Sequence, residues 1–96
     1  MIQTLSDMKQ ARVVVKGQVI GVGFRNWTRY HAKRFGIRGW VKNVGDQVEA
    51  LLQAEHEHLE KVIKKLRQGP PISNVSDVEV VWEDLKETHE GFKIVK

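Results

Sequence analysis

The stretch Arg12-Val13-Val14-Val15-Lys16-Gly17-Gln18-Val19-Ile20-Gly21-Val22-Gly23-Phe24-Arg25 decides the reading of this chain. Its first half is a β-branched run that reads as a strand, Arg12 to Lys16. The segment after it, Phe24 to Phe35, has helical spacing. Phe24, Trp27, His31 and Phe35 fall close to one face, with Arg29, Lys33 and Arg34 nearer solvent. Gly36 stands where a helix ends on glycine. Between strand and helix lies a glycine-rich turn, Gly17 to Gly23. Such a turn aims several backbone N–H groups at one point on the positive end of the helix dipole, and that point attracts anions. Arg25 strengthens the case. A cation in the first helical turn opposes the dipole, at a cost of up to ~1 kcal/mol. A bound phosphate reverses that sign, because guanidinium and phosphate match in charge and in fork geometry.

Outward from this stretch the elements come in order. Ile37 to Val44 and Val48 to Ala54 read as strands, joined by Gly45-Asp46 as a two-residue type II′ turn. A second helix runs from about Glu55 to Arg67, with Leu59, Val62, Ile63 and Leu66 on one stripe, and Gly69-Pro70-Pro71 stops it. Val75 to Trp82 is a fourth strand. A charged loop, Glu83 to Glu90, leads to a short last strand, Phe92 to Val95. Residues 1–10 show no period and read as a flexible N-terminal arm, with Met8 as a possible shorter natural start; residues 11–96 then form one domain. The order β-α-β-β-α-β predicts an α+β, ferredoxin-like sandwich, with an antiparallel sheet, two helices on one face and a short extra C-terminal strand. In that topology the third strand lies between the first two. The loop Gly17–Gly23 and Asn43 then meet at one end of the sheet.

Asn43 is notable for a second reason. Counting outward from the turn, Asn43 opposes Val48, Lys42 opposes Glu49 and Val41 opposes Ala50. Cross-strand partners share a face. Lys42 and Glu49 pair towards solvent, and Asn43 falls on the helix-covered face with Val41, Val48 and Ala50. An amide there costs a few kcal/mol unless it is hydrogen-bonded. It is either turned onto its own backbone beside the turn or held for a polar ligand.

Composition bounds the rest. The chain has 96 residues, 41% hydrophobic and 29% charged, which suits one ordinary globular domain. It has no cysteine, so disulfides, thiol nucleophiles and thiolate zinc sites are excluded. That usage, with no signal-peptide pattern and no apolar run long enough for a bilayer, fits a cytoplasmic protein without a membrane partner. The net charge of +4 and a pI near 9.6 favour phosphate-bearing partners of any kind. His56-Glu57-His58 invites a metal reading, but residues two apart on a helix point away from each other and no HExxH spacing is present. Trp27, Trp40 and Trp82 read as core or core rim, His31 as a core-edge residue, His89 as part of a polar loop, and Lys61, Lys64, Lys65 and Arg67 as a wet helix face.

The blocks Gly17-x-Val19-x-Gly21-Val22-Gly23-Phe24-Arg25, Gly39-Trp40-Val41-x-Asn43, Asp46 with Val48-Glu49, and Gly69-Pro70-Pro71 together resemble the acylphosphatase family, over nearly the whole chain from Arg12 to Val95. Two positions depart from the family pattern. Ile20 replaces a usual Gln before the second loop glycine, and the 43–49 hairpin is one residue shorter. The resemblance implies a hydrolase of carboxyl–phosphate anhydrides that needs no metal or other cofactor. It implies that the amides of Val19, Ile20, Gly21, Val22, Gly23 and Phe24, with Arg25, hold the phosphoryl group, and that Asn43 orients the attacking water. The expected ligands are a small acyl phosphate and, as inhibitors, inorganic phosphate or sulfate, bound to a monomer. A non-catalytic alternative is an RNA-binding or regulatory module on the same fold. An RNA-recognition sheet would stack bases on aromatics of the first and third strands, where this chain has none.

Overall fold

A computed structural model describes residues 7–96. It contains β1 (Met8–Gln18), α1 (Phe24–Arg34), β2 (Arg38–Val44), β3 (Gln47–Glu55), α2 (His56–Gln68), β4 (Asn74–Glu83) and β5 (Phe92–Ile94). The strands form one sheet in the order β4-β1-β3-β2-β5. β3 is antiparallel to both β1 and β2, and β1 is antiparallel to β4. The last strand joins β2 in parallel, so the sheet is mixed. The ferredoxin-like sandwich therefore holds. β1 is longer than the β-branched run: Met8, Lys9 and Gln10 pair with Glu55, Ala54 and Gln53. Three residues of the expected arm belong to the sheet, because cross-strand pairing extends a strand beyond its local propensity. The rest of the arm, residues 1–6, lies outside the described residues.

The core rows run straight across the sheet. Val80, Val13, Ala50, Val41 and Ile94 stand in register across all five strands. Val13, Ala50 and Val41 are fully buried. α2 places Leu59, Val62, Ile63 and Leu66 on this layer as its spacing predicts. α1 differs from expectation. Its core-facing row is Phe24, Thr28 and Ala32, while Trp27, His31 and Phe35 form the adjoining, half-buried row. The short side chains let the helix lie close to the sheet, and the Thr28 hydroxyl is satisfied by donating to the Phe24 carbonyl at 2.9 Å. The large rings pack at the flank. Of the tryptophans, Trp27 and Trp40 are half-buried and Trp82 is 45% exposed, against His56. Trp40 stands on the open face of the sheet, within 5.1 Å of the Lys42 ammonium and 5.7 Å of the Arg12 guanidinium.

The segment after β4 is a strap across that open face. Gln53, fully buried, donates from Nε2 to Gln10 Oε1 and to the Glu87 carbonyl, both at 2.7 Å, and its Oε1 accepts the His89 N–H at 2.9 Å. Leu51 is buried beneath it, so β3 loses the alternation of a strand with one wet face. A hollow of about 490 Å³ lies beside the strap, bordered by Arg12, Glu83 and Lys86. It is larger than the cavity at the candidate site, and two of its charged lining residues, Arg12 and Glu83, pair with each other. Gln10 and Arg12 both donate to Glu83, holding that carboxyl below its usual range. Replacing Gln53 with Leu would leave the Glu87 carbonyl and the His89 N–H without a partner. The expected cost is about 1–3 kcal/mol, read as a lower urea midpoint at an unchanged slope. An unmoved midpoint would show that the strap is not anchored there.

His31 carries a pH-dependent contribution to stability. Burial, then Lys65 across from α2 and Arg34 on its own helix, push its pKa below 6.5. The unfolded chain therefore binds this proton more readily than the folded one. Stability rises with pH wherever that is so. The contribution is intact above about pH 6.5 and is lost as the pH falls through the lowered value. His31→Gln is expected to flatten the loss of stability between pH 7 and pH 5, measured by urea titration at each pH.

Candidate active site

Val48 pairs with Val15 on one side and with Asn43 on the other. Since β1 and β2 run the same way on either side of β3, both end at one edge of the sheet. Near that edge the β1–β4 pairing shifts register at Lys16/Gly17, leaving Ser76 of β4 as the extra residue. Such a bulge bends the strand that carries the extra residue. A Cβ on Gly17 would come within 2.1 Å of the Asn74 carbonyl oxygen, so the close approach to β4 needs glycine. The loop then turns back over the end of β2. Gly21 and Gly23 have φ of 75° and 76°, left-handed values that other residues adopt only at a cost.

Gly23 is also the N-cap of α1, with no side-chain cap and no acid in the first turn. Among the described residues the loop N–H groups from Ile20 to Gly23 make no backbone hydrogen bond. The Arg25 guanidinium has no ion pair there, and the Asn43 side chain has no hydrogen bond. Asn43 is half-buried on the helix-covered face and is not turned onto its own backbone. Gly45 has φ 61° and among the described residues none other than glycine is left-handed, as a type II′ turn at Gly45-Asp46 requires. The one-residue-shorter hairpin therefore closes in regular register.

These groups open onto one cavity of about 160 Å³, small enough for a compact anion. Val19, Gly21, Gly23, Phe24, Arg25 and Asn43, all singled out in the sequence, line it. Two others do not. Ile20 is 41% exposed and Val22 packs against the core. Two lining residues escaped the sequence reading. Asn26 comes after Arg25 in the first helical turn, a position whose N–H has no partner within the helix. Ile94 comes from β5, and only its parallel pairing with Val41 brings it there. Among the described residues no carboxylate lines the cavity, so its electrostatics are those of an anion site. Among the described residues no cluster of His, Asp or Glu is arranged to hold a metal ion. His56 instead pairs with Glu60 one turn along α2. No described helix is long and apolar enough to cross a membrane.

Comparison with known proteins meets this geometry. The acylphosphatase family model matches residues 11–94. The chain belongs to the acylphosphatase family. It is 43% identical over 86 residues to an acylphosphatase of Pelotomaculum thermopropionicum, covering 88% of this chain and 94% of that one. The crystal structure of acylphosphatase from Bacillus subtilis superposes with a TM-score of 0.89 at 36% identity, covering 92% and 99% of the two chains. An acylphosphatase structure from Coxiella burnetii gives a TM-score of 0.91 at 29% identity, covering 99% and 100%. As an acylphosphatase the chain is a hydrolase, which sets aside the non-catalytic alternative.

Inorganic phosphate is expected to perturb the amide resonances of Gly21, Gly23 and Arg25 in a nitrogen-edited NMR titration. Arg25→Ala should weaken that binding by about tenfold or more, the usual size of a lost charge-assisted hydrogen bond. Perturbation elsewhere, with these amides still, would remove the anion from this loop.

Proposed function

We propose that this enzyme hydrolyses the carboxyl–phosphate bond of small acyl phosphates without a metal, with phosphate held by the loop and Arg25 and water oriented by Asn43. One observation carries the reading. The unpaired Arg25 guanidinium and the unpaired Asn43 amide line one small cavity together with Gly21 and Gly23, whose N–H groups make no backbone hydrogen bond among the described residues. An acyl phosphate has a good carboxylate leaving group, so its hydrolysis asks for little acid catalysis. It asks for charge stabilisation and for a placed nucleophile.

The loop amides and the positive end of α1 balance the phosphoryl oxygens. Arg25 adds a fork that tracks the charge as it spreads over those oxygens. The Asn43 side-chain oxygen accepts a hydrogen bond from water and sets its line of attack, while the NH2 end anchors away from the phosphoryl group. No side chain lining the cavity is a general base. The phosphate itself then takes the water's proton. Attack by that oxygen on phosphorus breaks the P–O bond to the acyl group and releases carboxylate and inorganic phosphate.

Kinetics on benzoyl phosphate separate the two roles. Asn43→Ala should lower kcat by a factor equivalent to about 2–4 kcal/mol, by analogy with loss of an oxyanion-hole donor, with KM and phosphate inhibition nearly unchanged. Arg25→Lys should damage both, since a point charge cannot reproduce the fork. Activity should survive EDTA. An Asn43→Ala enzyme with near-normal turnover would refute the water-orienting role, and loss of activity on chelation would refute the metal-free one.

A further inference from the structure

A second, larger hollow of about 470 Å³ borders the small cavity, and Ile94 lines both. It runs between α1 and β5. Arg29 and Lys33 of α1 form one wall, and Glu90 to Ile94, Lys93 among them, form the other. Arg25, Arg29 and Lys33 are spaced four apart, so they lie along one row of the helix. Successive members are separated by about 6 Å of helical rise. β5 is the sheet's edge. The Gly39 N–H donates to the Gly91 carbonyl and the Val95 N–H donates to the Val41 carbonyl, each at 2.9 Å. In a parallel ladder alternate residues face the partner strand. The backbone groups of Phe92 and Ile94 therefore face outward, into the groove. Arg29 and Lys33 have no ion pair among the described residues. The one acid on the groove, Glu90, precedes Gly91 and stands at the end farthest from Ile94.

The small cavity holds a compact anion and little else, so an acyl group attached to that anion must leave through an opening. The groove borders the cavity at Ile94, and its cations Arg29, Lys33 and Lys93 outnumber its acid Glu90. We infer that the α1/β5 groove is the acyl-side subsite, and that Arg29 and Lys33 select acyl phosphates whose acyl chain ends in a second anionic group. This rests on the acyl phosphate reading of the cavity. A carboxylate four carbons from phosphorus reaches about 6 Å, one helical step, and so meets Arg29 when the phosphoryl group sits at Arg25. Longer chains reach Lys33.

Phosphonates, whose C–P bond is not hydrolysed, test the subsite apart from turnover. Titration calorimetry would compare methylphosphonate with 4-phosphonobutyrate on the wild-type chain, on an Arg29→Ala/Lys33→Ala double variant, and on Lys64→Ala as a control for general surface charge. The wild type is expected to bind 4-phosphonobutyrate about threefold more tightly than methylphosphonate, since the one exposed cation within its reach, Arg29, contributes a factor of a few. The double variant should lose that preference and keep its affinity for methylphosphonate, while Lys64→Ala should keep both. Equal affinities in the wild type would overturn the subsite. So would a preference that survives in the double variant, or one lost equally in the control. Benzoyl phosphate hydrolysis by the wild type reads the underlying activity separately. Turnover without a phosphonate preference refutes the subsite alone, and a preference without turnover refutes the acyl phosphate reading.

Discussion

The site exists because β3 is held between two strands that run opposite to it. Val48 makes this concrete, with Val15 on one side and Asn43 on the other. Strands in a sheet lie about 4.8 Å apart. Asn43 is therefore about two strand spacings from Val15, which leads through Gly17 into the loop. A slip of one residue between β2 and β3 would carry Asn43 to the open face, because side chains alternate along a strand. The two-residue turn at Gly45-Asp46 prevents that slip. Its registration is reinforced on the open face, where Lys42 and Glu49 approach to 3.9 Å, and on the covered face, where Val41 and Ala50 are fully buried.

Charge is distributed unevenly between scaffold and site. On the open face three basic residues of the sheet pair with neighbours: Lys16 with Glu79, Arg12 with Glu83, Lys42 with Glu49. These pairs are exposed or half-exposed and contribute little each. Arg25 is different. It stands at the positive end of a helix, without an acid in the first turn. Asn43 likewise sits among buried valines with its amide unused. Both arrangements cost the folded state free energy. Groups kept in this condition are ready for a ligand that the rest of the molecule does not supply.

Much of this was legible in the chain itself. The β-branched run, the glycine turn, the stripe Leu59-Val62-Ile63-Leu66 and the stop at Gly69-Pro70-Pro71 are local signals, and each became the element it suggested. The hairpin register could be counted outward from Gly45-Asp46, because a two-residue turn leaves only one pairing. That count put Asn43 on the covered face, and the order of elements put it beside the loop. Arg25 was legible as a charge placed against the dipole of its own helix.

Other features were decided only by contacts between segments distant in the chain. Phe24, Trp27, His31 and Phe35 fall close to one face of α1 in the sequence, but of these only Phe24 joins Thr28 and Ala32 in the row that faces the sheet, and the other rings are half-buried beside it. The burial of Leu51 and Gln53 depends on a strap more than thirty residues away, and no local pattern announces it. The parallel docking of β5 on β2, which brings Ile94 to the cavity and opens the groove along Arg29 and Lys33, has no signature in the three residues of that strand. Short-range propensity and turn chemistry are properties of neighbouring residues, and the sequence contains them. Which face a ring takes, what covers a glutamine and where an edge strand pairs depend on the summed packing of the whole molecule, and only the assembled fold determines them.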